Sequence, residues 1–366
     1  MRYEPFELER WLATRKGKHN LSGLGPPGVK LSEIIPLQEL DNELLYGDTR
    51  GSEELRTLVA QTYEGIDSNN VLATTGTAEA NFLTLTSLLE PDDEAVLIVP
   101  TYFQAHGIVQ RLGAHAKLVS LDEEQGFAVP LENVKNALSA KTKLIFYTNP
   151  NNPTGATMPN EDVRALCEMA EERQAFVVCD EVLRGLEMDG NVSASPVGMY
   201  ERGISTASLS KLGIRGIRIG WLAALDSKLI QQAWGLKDYT TLSHSGLSER
   251  IATAAMKPER LRWLRDRAQK SFRDGRTLLM NWINENSSVL SCVRPSAGGS
   301  AFPQYFAEMN SIAFGESLLN EEDVLIAPGS YFGSDKHFRI KLVADDRRRL
   351  LEGFARISRF LQHHAS

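Results

Sequence analysis

The sequence has few cysteines, no long hydrophobic run and no excess of positive charge. Its three cysteines, Cys167, Cys179 and Cys292, form no CxxC pair and no other metal-ligand spacing. This pattern predicts free thiols in a cytoplasmic protein rather than a disulfide framework. No apolar stretch reaches the roughly 20 residues of a membrane-spanning helix. The opening residues also lack the apolar segment of a secretory signal, so none is expected.

Acidic residues outnumber basic ones, 47 to 40, which gives a formal net charge of −7. A protein that tracks nucleic-acid phosphates needs a basic excess on at least one face, so neither a nucleic-acid partner nor a membrane partner is expected. Hydrophobic residues make up 42% and charged residues 24% of the chain, as in ordinary globular proteins. The length of 366 residues exceeds one typical domain and suits two.

Short apolar runs alternate with amphipathic stretches through the middle of the chain. Strands are predicted at 70–75, 95–99, 143–148, 175–179, 204–209 and 217–222, and helices at 78–89 and 161–173. The strands are apolar on both faces, which is typical of a mostly parallel sheet covered by helices. We therefore predict an α/β fold with a central sheet between helical layers.

The two ends of the chain show a different pattern. One helix is predicted at 6–16, a long helical stretch follows residue 245 as far as 286, and a closing helix is predicted at 346–363. We expect a large α/β domain over residues 45–245 and a smaller α+β domain built from 1–44 and 246–366. A crevice between two such domains is a natural ligand site.

Polar residues follow several of the predicted strands, where open parallel sheets bind their ligands. Thr77 and Ala78 open a helix directly after Gly76, which suits an anion site but also an ordinary capped helix. Tyr102 follows the next strand and could stack on a ligand or pack in the core. Asn152 lies in a loop made rigid by two prolines, which could aim an amide inward or form a plain turn.

Two charged residues complete this set. Asp180 follows a buried strand and needs a cationic partner, either an arginine or a ring nitrogen of a ligand. Lys211 lies between a strand and a glycine-rich turn, where it is a surface residue or an amine of lowered pKa that attacks carbonyls. An anion site, a ring, an amide, a carboxylate and an amine are together the groups that pyridoxal 5′-phosphate (PLP) requires.

These motifs make the chain resemble the fold-type I PLP-dependent enzymes of the class I/II aminotransferase family. The resemblance runs from about Phe6 to Gln362. Its motifs lie at 46–51, 55–56, 76–79, 152–155, 180–182, 208–211, 218 and 338–340. It implies the fold-type I architecture, a mostly parallel sheet with a smaller domain from both termini, and PLP as the cofactor.

The resemblance also implies a role for each matching residue. Lys211 would form the Schiff base and move the substrate proton, and Asp180 would pair with the ring nitrogen. Together with Tyr102, which would stack on the ring, these are the predicted catalytic residues. The predicted cofactor contacts are Thr77, Ala78, Tyr102, Asn152 (to the ring O3′), Asp180, Ser208, Lys211 and Arg218. The predicted substrate contacts are Arg339, as clamp of the α-carboxylate, with Asn152 and Gly23.

Two further cofactor contacts are implied across a subunit boundary. In the family, the residue matching Tyr46 reaches the phosphate in the neighbouring subunit, and Ser243 is expected to do the same. The resemblance therefore implies a homodimer with shared active sites. No metal is expected, because His106, His115 and His337 show no ligand spacing.

The sequence departs from the family pattern at three places. Leu183 stands three residues after Asp180, where the family usually has a tyrosine that donates to the ring oxygen. The loop from Lys211 to Arg218 is about one residue shorter than usual, which puts the placement of Arg218 in question. Ala78 stands where many relatives have a hydroxyl, which leaves its backbone N–H and Thr77 to hold the phosphate.

Transfer of an α-amino group from an L-amino acid to a 2-oxo acid is the leading functional hypothesis. The alternative is PLP-dependent β- or γ-elimination or cyclisation of an arginine-like amino acid, because Leu183 replaces a transaminase residue and residues 6–12 are similar to the capreomycidine synthase-like branch. A PLP-sensing regulator is disfavoured, because such regulators carry an N-terminal DNA-binding module and only about 45 residues precede Tyr46.

Overall fold

The computed structural model describes residues 4–41, 46–343 and 346–364. The helices in these ranges are α1 (Glu7–Thr14), α2 (Leu31–Ile34), α3 (Glu53–Ala60), α4 (Thr77–Leu88), α5 (Gln104–Arg111), α6 (Leu131–Ala137), α7 (Asn160–Glu171), α8 (Ser227–Lys237), α9 (Gly246–Met256), α10 (Pro258–Glu285), α11 (Ser311–Glu322) and α12 (Arg347–His363). The strands are β1 (His19–Asn20), β2 (Val71–Thr74), β3 (Glu94–Val99), β4 (His115–Ser120), β5 (Thr142–Thr148), β6 (Phe176–Asp180), β7 (Gly203–Ser208), β8 (Gly220–Ala224), β9 (Leu290–Ser291), β10 (Ser300–Ala301), β11 (Gln304–Tyr305), β12 (Val324–Leu325), β13 (Ala327–Pro328) and β14 (Phe338–Lys341).

Seven strands form the central sheet in the order β2-β8-β7-β6-β5-β3-β4. Strand β8 runs antiparallel to both of its neighbours, and the other pairs are parallel. The prediction of a mostly parallel sheet is therefore confirmed. The strand predicted at 217–222 begins only at Gly220, because Arg215–Ile217 forms a turn of 3₁₀ helix.

Alternate residues of the inner strands supply two hydrophobic layers, one on each face of the sheet. Leu97 and Phe146 join the layer beneath α4, α5 and α8. Ile98 and Tyr147 join the layer on the opposite face, beneath α7. Because successive side chains of a strand point to opposite faces, continuous apolar runs are needed to fill both layers. This explains why the inner strands stand out in the sequence.

The elements near both termini pack against one another. Strand β1 pairs in parallel with β12, β10-β14-β13 form a second small sheet, and β11 pairs with β9. Helices α10 and α12 meet through Trp282 and Phe354, whose rings stack with centroids 4.5 Å apart. The long helical stretch expected after residue 245 is two helices, since Pro258 begins α10 at a position where proline is favoured.

The carboxyl ends of β2, β6 and β7 carry Thr74, Asp180 and Ser208, and the loop after β5 is joined to β14 by a hydrogen bond from Arg339 to Asn152. In strand register, Asp180 lies opposite Thr148 and Thr206. The topology thus brings the predicted chemistry to one edge of the sheet. No helix in the described ranges is long and apolar enough to cross a membrane.

Candidate active site

Asp180 is a buried carboxylate held by two donors at the end of β6. Its Oδ1 accepts from the Val182 N–H at 3.0 Å, and its Oδ2 accepts from Asn81 Nδ2 at 3.0 Å. Burial raises the pKa of Asp180, while these hydrogen bonds and the charge of Lys211 lower it. The two donors fix the direction of a carboxylate that can pair with a cationic group.

The start of α4 forms an anion cup. Gly76, at φ 80°, precedes the helix without a side-chain cap, and the Thr77 hydroxyl is buried without a hydrogen-bond partner in the described structure. A Cβ on Gly76 would lie 2.4 Å from Arg218 Nη2, so the glycine lets that guanidinium reach the helix start. Helix N–H groups, a free hydroxyl and a guanidinium together suit a phosphate.

The remaining predicted phosphate contacts lie near this cup. Arg218 has φ 54°, a left-handed conformation, and its Nη1 donates to Ser210 Oγ at 3.2 Å. This turn brings Arg218 to Gly76 despite the short loop. Ser208 is buried at the end of β7, with its Oγ 3.4 Å from the Ser210 nitrogen. Ala78 is the second residue of α4, so its N–H has no acceptor within the helix.

Lys211 lies close enough to Asp180 and Arg339 for their charges to act on it, and the space between these three side chains is called the cleft. Desolvation, together with the positive charges of Arg339 and Arg215, lowers the pKa of Lys211 to about 8, while Asp180 and Glu9 act in the opposite direction. Gly25 borders this side chain, because a Cβ on it would come within 3.7 Å of Lys211 Cδ. An amine with such a pKa is partly unprotonated near neutral pH and can attack a carbonyl.

Asn152 and Arg339 are joined across the cleft. Arg339 is buried, its Nη1 donates to Asn152 Oδ1 at 3.0 Å, and its Nη2 donates to the Ser22 carbonyl at 2.8 Å. A guanidinium can only donate, so the amide oxygen of Asn152 must face it and the NH₂ is left to donate elsewhere. The Nε of Arg339 is buried without a partner in the described structure, and desolvation lowers the pKa of Arg339 to about 10.

Tyr102 lies between the cleft and the N-terminal helix. Its hydroxyl donates to Glu9 Oε1 at 2.7 Å, and Phe6 packs edge-on against its ring with centroids 4.8 Å apart. Burial and the negative charge of Glu9 raise the pKa of Tyr102, so the hydroxyl stays protonated. The charges of Arg339 and Asp180 also act on this group, which places Tyr102 among the predicted site residues.

Leu183 is buried among apolar groups, whereas Gly23 is exposed. Leu183 is fully buried in the core, and a Cβ on Gly298 would come within 2.9 Å of its Cδ1. It offers no hydrogen bond at the place of the family's usual tyrosine. Gly23 is exposed, and a Cβ there would meet only Lys341 Cδ, at 3.9 Å. Its predicted substrate contact stays a prediction.

Tyr46 and Ser243 lie apart from Lys211 on the outside of the chain. Both line a surface groove of about 890 Å³ next to α9. Tyr46 is 89% exposed, as is Tyr239. The loop that carries Ser243 is tied to α4, because the hydroxyls of Thr240 and Thr241 both donate to Glu79 Oε1.

Sequence reasoning missed two residues that touch this site, Asn81 and Glu9. Asn81 lies four residues after Thr77, so the two polar side chains share one face of a helix, and this spacing was an available signal. Glu9 has no such signal, because it lies between the buried residues Leu8 and Trp11 in a short amphipathic helix.

The comparisons with known proteins agree with this geometry. The model of the family "Aminotransferase class I and II" matches residues 21–356. Capreomycidine synthase from Streptomyces vinaceus is 31% identical over 98% of this chain and 94% of its own. The chain belongs to the class I and II aminotransferase family.

Solved structures of this family give the same fold. A PLP-dependent aminotransferase from Streptococcus suis superimposes with a TM-score of 0.92 and 29% identity, over 100% of this chain and 99% of the other. The PLP-dependent cyclase OrfR gives 0.89 and 26%, over 99% and 98%. The chain has the predicted fold-type I architecture and is a PLP-dependent enzyme of amino acid substrates.

The residues of this aminotransferase-family chain fit PLP. The unpartnered Thr77 hydroxyl and the glycine-lined contact with Arg218 offer a place for a phosphate at the start of α4. Asp180, held by two donors, offers a carboxylate for the ring nitrogen. The NH₂ group of Asn152 is free to donate to the ring oxygen, and Lys211 offers the amine.

Proposed function

We propose that this enzyme transfers the α-amino group of an L-amino acid to a 2-oxo acid, with Lys211 as its acid–base residue. The observation that carries the proposal is the position of Lys211, an amine with a pKa near 8 within the electrostatic reach of both Asp180 and Arg339. When bound, PLP supplies an aldehyde that condenses with amines and a ring that accepts electrons.

The chain's own residues supply orientation and proton transfer. Arg339 binds the substrate α-carboxylate through a guanidinium whose Nε is free, while Asn152 and Ser22 hold its two other nitrogens. This anchors the Cα–H bond near Lys211, whose Nζ takes the proton and returns it during transfer. Asp180 stays ionised to keep the ring nitrogen protonated, with Asn81 and the Val182 N–H holding the carboxylate in place.

The proposed site lies between two domains, residues 45–245 and residues 1–44 with 246–366. The first contributes Asp180, Asn152 and Lys211, and the second contributes Arg339. A change in the distance between the domains then alters the hydrogen bond from Arg339 to Asn152, so that substrate binding and closure are coupled.

The functional unit in this proposal is a homodimer in the cytoplasm. The exposed ring of Tyr46 supports the dimer, since an aromatic residue beside a large groove suits a surface that a second copy covers. In the dimer, Tyr46 reaches the phosphate bound by the partner chain, and Ser243 assists there. The free cysteines support the cytoplasmic location, because two of the three, Cys167 and Cys179, are buried as unpaired thiols.

Elimination or cyclisation of an arginine-like amino acid is the second candidate. Two observations favour it: Leu183 places a core aliphatic side chain where the family usually has a donor, and the relative from Streptomyces vinaceus carries the name capreomycidine synthase. Without a donor at position 183, Asn152 is the proposed donor to the ring oxygen among the described residues.

Cofactor absorption distinguishes the two candidates. Purified enzyme is mixed with single amino acids in the absence of a 2-oxo acid. Transfer predicts accumulation of pyridoxamine phosphate and one equivalent of the new 2-oxo acid, without ammonia or a ring-closed product. If the original spectrum returns after each turnover with no acceptor present, transfer is wrong and elimination or cyclisation is supported.

A further inference from the structure

Helix α1 brings one carboxylate, that of Glu9, to the hydroxyl of Tyr102. Leu8 and Trp11 anchor the helix in the core, and Trp11 Nε1 donates to the Ile326 carbonyl at 2.9 Å. Glu9 is the half-buried residue between them, and its Oε1 accepts from the Tyr102 hydroxyl at 2.7 Å. The position of this carboxylate is therefore fixed by both the helix and the tyrosine.

Glu9 lies within electrostatic reach of the reacting groups. Its negative charge raises the pKa of Lys211 and of Arg339 against the stronger effect of desolvation, and it also raises the pKa of Tyr102. The geometry agrees, because the N–H of Thr101, next to Tyr102, donates to the Phe332 carbonyl at 3.1 Å, and the Arg339 guanidinium lies 5.0 Å from the centre of the Phe332 ring.

Glu9 has no partner of opposite charge in the proposed site, unlike Asp180 and Arg339. Asp180 has a cationic ring nitrogen as its proposed counterpart, and Arg339 has the substrate carboxylate. Glu9 forms no ion pair within the described ranges, and its hydrogen bond to Tyr102 is with a neutral hydroxyl. A half-buried anion in this position attracts a cation from the ligand.

We propose that Glu9 binds the distal cation of the substrate side chain and so selects amino acids with a basic side chain, guanidinium or ammonium. This inference rests on the proposed function, because it takes Arg339 as the anchor of the α-carboxylate. The substrate then spans the cleft from Arg339 to Glu9, with its Cα beside Lys211. Tyr102 holds one oxygen of Glu9, and Oε2 remains to accept from the substrate.

A purely positional role makes a different prediction. If Glu9 serves only to hold the Tyr102 hydroxyl, then Glu9→Gln keeps an acceptor oxygen for that hydroxyl and changes little. If Glu9 binds a cation, the same substitution removes the charge and weakens binding of basic substrates alone. L-arginine and L-citrulline separate the two roles, because they have nearly the same shape and only arginine is charged.

The test is calorimetric titration of holoenzyme reduced with borohydride, in which amino acids bind without turnover. We expect the unsubstituted enzyme to bind arginine about ten- to a hundredfold more tightly than citrulline, the usual advantage of a charge-assisted hydrogen bond. Glu9→Gln should bring arginine to the level of citrulline and leave citrulline unchanged. Glu7→Gln, an exposed change on the same helix, should behave as the unsubstituted enzyme.

Two results would overturn the inference. In one, the unsubstituted enzyme binds the two ligands equally; in the other, Glu9→Gln keeps the preference for arginine over citrulline, which assigns Glu9 to the support of Tyr102. Turnover measured separately tests the proposed function. An enzyme that prefers arginine in titration but forms no 2-oxo acid retains the role of Glu9 and loses the proposed transfer. An enzyme that transfers the amino group of neutral amino acids and shows no preference for arginine retains the proposed transfer and loses the role of Glu9.

Discussion

Replacing Asn81 by alanine should weaken cofactor binding through Asp180. Asn81 Nδ2 donates to Asp180 Oδ2 at 3.0 Å, and Asn81 Oδ1 accepts from the Thr206 hydroxyl at 2.6 Å. Both Asn81 and Asp180 are almost completely buried, so water does not readily replace the lost donor. The substitution therefore leaves a buried carboxylate with one hydrogen bond fewer than it has now.

The size of the effect follows from that single contact. A hydrogen bond to a charged group contributes about 1.5–3 kcal/mol, so the loss of PLP affinity is at most about ten- to a hundredfold, because the enzyme without PLP also loses this bond. The pKa of Asp180, already raised by burial, rises further without Asn81. The ionised carboxylate is the form that holds the ring nitrogen. As the pH falls, Asn81→Ala should therefore lose cofactor at a higher pH than the unsubstituted enzyme.

The assay is a fluorescence titration of the apoenzyme with PLP at a series of pH values. The matched control is Thr84→Ala, which removes a hydrogen bond from the Thr84 hydroxyl to the Ala80 carbonyl in the same helix. The control should lower thermal stability and keep the PLP affinity and its pH profile. If Asn81→Ala has the same PLP affinity and the same pH profile as the unsubstituted enzyme, the reasoning is refuted. Asn81 would then not stabilise the ionised form of Asp180.

Three further changes follow from single contacts. Arg218→Ala should weaken binding of PLP about ten- to a hundredfold in equilibrium dialysis but barely affect pyridoxal, which lacks the phosphate; equal losses for both would contradict the anion cup. Leu183→Tyr should move the midpoint of the pH-dependent change in cofactor absorption, and an unmoved midpoint would place that side chain away from the ring. Gly275→Ala should lower the free energy of unfolding in urea by at least about 3 kcal/mol, because its Cβ would lie 1.5 Å from the Leu342 carbonyl oxygen. Gly107→Ala, at an open helical position, is the control and should stabilise by about 0.5–1 kcal/mol.

The inner strands of the sheet could be predicted because both of their faces are buried. Strand β5 contains an unbroken apolar run, Leu144 to Tyr147, and β6 is apolar as far as Cys179, so the predicted bounds of both lie within one or two residues of the observed ones. The edge strand β4 was missed, because only Val119 of its six residues is fully buried and its pattern resembles a loop. The antiparallel direction of β8 could not be predicted from its own residues either. The direction of a strand depends on the path of the connection before it, and an apolar run does not reveal that path.

Site residues could be predicted where a sequence motif marks the end of a strand. Contacts between residues that are distant in the sequence could not be predicted. Asp180 directly follows an apolar run, and Lys211 lies in the turn directly after a predicted strand, so both could be assigned to strand ends from adjacent residues. Glu9 and Tyr102 are far apart in sequence, and nothing near either one indicates the other. Their hydrogen bond depends on the docking of α1, which only the tertiary structure provides.

The hydrogen bonds of Arg339 have a consequence for how the protein is made. The residues assigned to the cofactor lie between Thr77 and Arg218, apart from those expected across the dimer, while strand β14 with Arg339 leaves the ribosome much later. Leu183 and Leu209, which flank the cofactor residues, share one hydrophobic core with Phe272 of α10 and Ile340 of β14. We therefore expect ribosome-stalled chains that end before β14 to hold PLP weakly and to ignore amino acids, so that both abilities arise together when synthesis is complete.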